Sequence, residues 1–163
     1  MRKNSTEALL QGLDILIVDG NAYMRRLTRT MLMNLGARSV MEAADGLAGL
    51  EAIRTGDPDV MLLDWDMPVL NGMEVMRIVR SPGVFPRPNI PIIMLTSRAY
   101  HSAVMQALHA GVHEFLIKPT SPKALRDRLA SILIKPRPMK QLGGFYGPEP
   151  RRKLDEPTLA ASA

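Results

Sequence analysis

The chain has 163 residues, 46% of them hydrophobic and 23% charged, which fits one globular domain with some chain to spare and excludes disorder throughout. It holds no cysteine, so disulfides, thiolate metal sites and cysteine nucleophiles are excluded, and a reducing cytoplasm is the expected location. The formal charge of +5 is uneven: residues 1–12 contribute +1, residues 13–134 contribute +1 and residues 135–163 contribute +3, so the excess sits at the ends.

Residues 1–12 read as an N-terminal extension. Met1-Arg2-Lys3 opens it, but Asp14 interrupts the apolar stretch that follows, so no signal peptide is expected. The first apolar run is Asp14–Asp19. A helix follows, with Met24, Leu27, Met31 and Leu35 spaced three and four apart and Gly36 as its stop. A weaker strand signal covers Ser39–Ala43, and residues 45–55 read as a second helix that Gly56 ends. The next strand is Val60–Asp64, followed by a helix over 71–80 with Pro82 beyond it. Ser81–Asn89, with three prolines and one glycine, reads as an exposed loop. Ile90–Thr96 and Val112–Lys118 are two further strands, separated by a helix over 99–110 that Gly111 stops. The last helix carries Leu125, Leu129, Ile132 and Leu133, and Pro136 closes it.

Short, nearly continuous apolar runs suggest strands buried on both faces. Their alternation with helices predicts an α/β fold over residues 13–134, a five-stranded parallel sheet with helices on both faces. The longest runs, such as Ile90–Leu95, are far shorter than the roughly 18 residues a membrane span needs. In parallel sheets, ligands bind beyond the carboxyl ends of the strands. Asp19, Asp64, Thr96 and Lys118 each end one of the four strong runs, so they should converge at one sheet edge. A carboxylate pair there can hold Mg²⁺, and a hydroxyl with an ammonium can hold phosphoryl oxygens. Phosphoryl transfer needs that inventory, because its catalysis is mostly positioning and charge neutralisation.

Five segments carry a family resemblance: Leu16-Ile17-Val18-Asp19, Leu62-Leu63-Asp64-Trp65-Asp66-Met67-Pro68, Asn71-Gly72, Leu95-Thr96-Ser97 and Phe115-Leu116-Ile117-Lys118-Pro119. With them, residues 13–134 resemble the receiver domain of two-component response regulators. Met24-Arg25-Arg26 and Trp65 resemble its chemotaxis-type members. The resemblance implies a flavodoxin-like receiver fold with strand order 2-1-3-4-5. It implies that Asp64 accepts a phosphoryl group from a histidine kinase or phosphotransfer protein. Asp19, the Asp64 carboxylate and the backbone carbonyl of Asp66 would bind Mg²⁺. Thr96 would hydrogen-bond the phosphoryl group, Lys118 would pair with it, and a cis bond would lead into Pro119. Phe115 would be the aromatic switch that turns inward on activation. Output would be protein–protein contact through the fourth helix, fifth strand and fifth helix, including a homodimer, with Tyr100 a candidate contact. The protein would then be a phosphoacceptor signalling protein and not an enzyme in the ordinary sense.

The chain departs from the family pattern at Gly20, where a second acid usually follows Asp19; its loss removes ligand charge and should weaken Mg²⁺ binding. The Asp66 carboxylate is a candidate replacement, against the reading of a solvated loop acid. Phe115 lacks a tyrosine's hydroxyl, so water favours its outward state less. Gly20 keeps open a degenerate receiver that acts as a binding module without phosphorylation. Asp64-Trp65-Asp66 also resembles the Asp-x-Asp motif of haloacid-dehalogenase-type phosphatases, but the acids after Lys118 are only Asp127, Glu149, Asp155 and Glu156. Residues 135–163, with five prolines, three glycines and six bases, read as a basic tail with little regular structure. That length is too short for a typical folded DNA-binding domain, which weighs against DNA binding. Phe145-Tyr146 with Arg151-Arg152 leaves a docking segment open, and stacking on single-stranded nucleic acid as well. His101, His109 and His113 read as surface or rim residues.

Overall fold

The computed structural model describes residues 10–151. Expectations placed on residues 1–9 and 152–163, including Arg152, Asp155 and Glu156, lie outside the described residues. Five strands form a parallel sheet: β1 (Asp14–Val18), β2 (Ser39–Ala43), β3 (Val60–Asp64), β4 (Ile92–Thr96) and β5 (Glu114–Ile117). Their order is β2-β1-β3-β4-β5, as the resemblance implied. The helices are α1 (Ala22–Asn34), α2 (Gly46–Gly56), α3 (Gly72–Val79), α4 (His101–His109) and α5 (Pro122–Ile134).

Four of the helices start where a side chain satisfies a first-turn amide. Asn21 accepts from the N–H of Met24, Asp45 from Ala48, Asn71 from Glu74 and Ser121 from Ala124. The strand runs β3 and β4, and β1 after Asp14, are apolar up to their last residues because both sheet faces are covered. Leu16, Val18, Met61, Leu63 and Met94 pack with Leu50 and Ile53 of α2, Val75 and Met76 of α3 and Ala103 of α4. The alternate residues Ile15, Ile17, Leu62, Ile93 and Leu95 pack with Leu32 of α1 and Leu125 and Leu129 of α5. Parallel register then brings the strand ends level: Val18 pairs with Leu63, Asp64 with Leu95 and Thr96 with Ile117.

Three expectations need correction. Ser81–Asn89 is not exposed throughout: Phe85 is buried in the core, with the Arg54 guanidinium 5.4 Å from its ring centroid. His113 is not a rim residue. It is buried, and its Nδ1 lies 3.2 Å from Arg80 Nη2. Burial first, then the charges of Arg80, Arg137 and Arg151, hold its imidazole down at about 3, so it stays neutral.

The third correction concerns the tail, which has regular structure over residues 139–148. Strands β6 (Met139–Leu142) and β7 (Phe145–Pro148) form an antiparallel hairpin that docks on the domain. Arg137 donates to the carbonyls of His113 (2.7 Å) and Glu149 (3.1 Å). Phe145 lies 5.4 Å from the His109 ring at the end of α4, and the Tyr146 hydroxyl donates to Asn89. Arg151 pairs with buried Glu114, which Arg128 of α5 also faces at 3.6 Å. Prolines and bases suggested a solvated segment, but guanidinium-to-carbonyl bonds and a close backbone approach hold it. Neither leaves a periodic signature in sequence.

Candidate functional site

The four strand-end residues meet. Asp19 follows β1, Asp64 ends β3, Thr96 ends β4 and Lys118 follows β5. Lys118 Nζ donates to Asp19 Oδ2 at 2.8 Å and lies 3.1 Å from Asp64 Oδ1. Asp19, Asp64 and Thr96 are buried. They border or line a cleft of about 380 Å³, whose walls include Gly20, Asn21, Asp64, Asp66, Ser97 and Lys118. Thr96 and Lys118 are joined through the backbone, Lys118 N–H to Thr96 O at 2.8 Å, and a cis bond follows to Pro119.

Each carboxylate is positioned by its own loop. Asp19 Oδ1 accepts from the N–H of Asn21 at 2.8 Å, and Arg25 of α1 donates to the Asp19 carbonyl at 2.7 Å. Asp64 Oδ1 also accepts a long bond, 3.4 Å, from the N–H of Asp66. Asp64 Oδ2 accepts no hydrogen bond from the described residues. Burial pushes the Asp64 carboxyl above the ordinary carboxylate range; Lys118 opposes that shift and the Asp19 charge adds to it.

That shift has a sign for stability. A carboxyl whose folded value lies above its unfolded one loses stability for the fold as pH rises through the folded value. At neutral pH ionised Asp64 is therefore a cost. Asp64→Asn is expected to stabilise the domain at pH 7, raising its Tm above that of the native chain. The gain should vanish at pH 3, where the native residue is protonated as well. Denaturation at both pH values checks it, and an equal gain at pH 3 would refute the assignment.

The donor set suits a hard cation: two carboxylates and a backbone carbonyl are oxygen ligands, and Mg²⁺ is commonly held by one or two carboxylates with waters completing its shell. The Lys118 ammonium between Asp19 and Asp64 marks where positive charge is favoured. No group of three or more acidic, imidazole or thiol side chains placed to hold a metal occurs among the described residues. The Asp66 carboxylate, a candidate replacement, is engaged elsewhere. Its Oδ1 accepts from Arg98 Nη2 at 2.7 Å and Nε at 3.2 Å. Those bonds and the Asp66 charge push the Arg98 guanidinium further up. Arg98 was not singled out by sequence reasoning. Its position two residues after Thr96 was the available signal, but a lone arginine in a loop says nothing of its partner. Phe115 is buried on β5. Asp127 pairs with Lys123 on α5 and Glu149 with Lys140 on the hairpin, so neither joins the cleft as an Asp-x-Asp phosphatase would need. No helix among the described residues is long and apolar enough to cross a membrane.

Residues 15–130 match the sequence profile of the response regulator receiver domain. Chemotaxis protein CheY1 of Helicobacter pylori is 37% identical over 120 residues, 73% of this chain and 95% of that protein. Chemotaxis protein CheY-3 of Vibrio cholerae is 33% identical over 127 residues, 77% of this chain and 96% of that one. Among solved structures, the receiver domain of a Francisella response regulator superposes with a TM-score of 0.69 at 26% identity, covering 76% of this chain and 98% of that one. Chemotaxis protein CheY4 of Vibrio cholerae superposes with a TM-score of 0.67 at 29% identity, covering 74% and 98%. The hairpin at 139–148 lies beyond the last residue the family profile matches. By fold, strand-end residues and sequence, the chain belongs to the response regulator receiver family and sits among its chemotaxis-type members.

Proposed function

We propose that this receiver takes a phosphoryl group on Asp64 from a histidine kinase or phosphotransfer protein, and signals through protein–protein contacts. The observation that supports it most is Lys118 Nζ held between Asp19 and Asp64, with Thr96 buried at the neighbouring strand end. Receivers generally bind Mg²⁺; here the Asp19 and Asp64 carboxylates and the Asp66 carbonyl would hold it, and when bound it neutralises charge on the transferring group. Asp64 Oδ2, which accepts no hydrogen bond from the described residues, forms the bond to phosphorus as the bond to the donor's imidazole nitrogen breaks. Lys118 then follows the new phosphoryl oxygens, and the Thr96 hydroxyl donates to one of them.

Because Thr96 and Lys118 sit where the chain leaves β4 toward α4 and β5 toward α5, their movement biases those two helices and the Phe115 side chain between them. The face of α4, β5 and α5 would carry the output, including a homodimer. The hairpin already takes part of that face through Phe145, Arg137 and Arg151. A second copy would dock nearer Tyr100, which is 51% exposed.

Incubation with acetyl phosphate and Mg²⁺, read by intact mass, tests the reading. An adduct of about 80 Da is expected, absent in Asp64→Asn and absent without Mg²⁺. No adduct on the native chain would leave a receiver that works as a binding module.

A further inference from the structure

Asp66 lines the cleft beside Asp19 and Asp64, yet its Oδ1 takes two hydrogen bonds from Arg98. The same guanidinium lies 5.1 Å from the Trp65 ring centroid and donates from Nη1 to the Tyr100 hydroxyl at 3.2 Å. Its backbone N–H donates to Thr96 Oγ1 at 3.1 Å. One residue thus ties the loop after β3, which carries Trp65 and Asp66, to the loop after β4, which carries Thr96 and Tyr100.

We propose that Arg98 is a positioning residue that withholds the Asp66 carboxylate from the metal, so that a divalent cation and the β4–α4 loop compete for one carboxylate. The inference rests on the reading of the cleft as an Mg²⁺ site. Gly20 leaves two carboxylates facing that site, and Asp66 is the remaining acid that lines it. Its Oδ2 makes no hydrogen bond to the described residues, and Mg²⁺ prefers oxygen donors that bring charge. The hold can be broken: the side chains of Arg98 and Asp66 are 41% and 49% exposed, and ion pairs so open to water are weak. The guanidinium's own charge also opposes a cation nearby. When the cation draws Asp66 inward, Arg98 loses its anchor on the β3 side, and the loop bearing Thr96 is freed before any phosphoryl group arrives. Metal binding then prepares the switch as well as the acceptor.

Calorimetric titration of Mg²⁺ into the full chain, Arg98→Ala, Asp66→Ala and the double variant tests this. Arg98→Ala is expected to bind Mg²⁺ between about two- and five-fold more tightly, the size of effect an exposed ion pair can withhold. Most of that gain should disappear in the Asp66→Ala background, and Arg98→Lys should restore much of the native affinity. The emission of Trp65, the chain's one tryptophan, should change with Mg²⁺ in the native chain, and should respond little in Arg98→Ala, where no guanidinium leaves the ring. Unchanged or weaker binding by Arg98→Ala overturns the proposal. So does an equal gain with and without Asp66, which would be charge repulsion alone. If neither the native chain nor any variant takes up Mg²⁺, the metal-site reading fails together with it, whereas native binding with a silent Arg98→Ala removes the competition and leaves that reading standing.

Discussion

Gly20→Asp is expected to tighten Mg²⁺ binding by about ten- to a hundred-fold. The glycine follows Asp19 directly and lines the cleft. Nothing in the fold demands glycine there. Its φ is not among the positive ones. A Cβ would meet the Ala44 carbonyl at 3.8 Å, Pro68 Cδ at 3.9 Å and Met67 Cγ at 4.0 Å, which are ordinary contacts. The substitution therefore adds a carboxylate to the proposed metal site without repacking it. The added negative charge also faces Asp19 and Asp64 when no metal is bound, so the variant should be less stable without Mg²⁺ and more stable with it. Melting curves at rising Mg²⁺, beside direct titration, measure both effects. A variant whose Tm responds to Mg²⁺ no more than the native chain would place the metal ligands elsewhere.

Gly111→Val is expected to cost about 3–5 kcal/mol, the range reserved for backbone and overpacking faults in a core. Two effects combine. Gly111 has φ +93°, a conformation that costs an L-residue roughly 1–2 kcal/mol, and more for a branched one. A Cβ would also stand 2.3 Å from the carbonyl oxygen of Tyr146 and 3.1 Å from Arg80 Cγ. The first of these is backbone and cannot swing away, so the hairpin must lift. Gly143→Ala separates the two effects, because Gly143 has φ +67° with nothing within 4 Å. It should cost only about 1 kcal/mol. Urea unfolding gives the energies, and protease cleavage within 139–148 reports the hairpin. A Gly111→Val protein as stable as Gly143→Ala, with an uncut hairpin, would mean that the docking is not tight.

What the sequence disclosed follows from what each interaction leaves behind in it. Burial on both faces writes itself as unbroken runs such as Val60–Asp64, and the parallel sheet with its five helices follows from those runs. Strand ends are fixed by the same runs, so the meeting of Asp19, Asp64 and Lys118 was legible before any distance was known. Side-chain competition was not. The Asp66 carboxylate was a candidate ligand from its place in the chain, but Arg98 reaches it across 32 residues, and only three-dimensional proximity decides that pairing. His113 was misjudged for a related reason: its burial depends on Arg80 and Arg137, both remote in sequence. The hairpin was hidden because polar composition usually marks solvated chain, whereas here Arg137 and Arg151 spend their donors on the carbonyl of His113 and the carboxylate of Glu114.

The hairpin also bears on how this sheet avoids growing. A parallel sheet has two outer strands whose unpaired amides and carbonyls invite another chain to add on. At the β2 end the deterrent is charge: exposed Glu42 is flanked by Arg25 and Arg29. At the β5 end it is covalently attached chain. β6 and β7 pair with each other and not with β5, so this chain screens only the start of that strand, at His113 and Glu114, without becoming a sixth strand with a fresh edge of its own. Arg137, holding the carbonyl just before β5, is the point where that screen is fastened. A chain that lost it is expected to leave the outer strand Glu114–Ile117 more open to strand addition. The segment beyond the residues that match the family profile is therefore expected to guard this end of the sheet against strand addition.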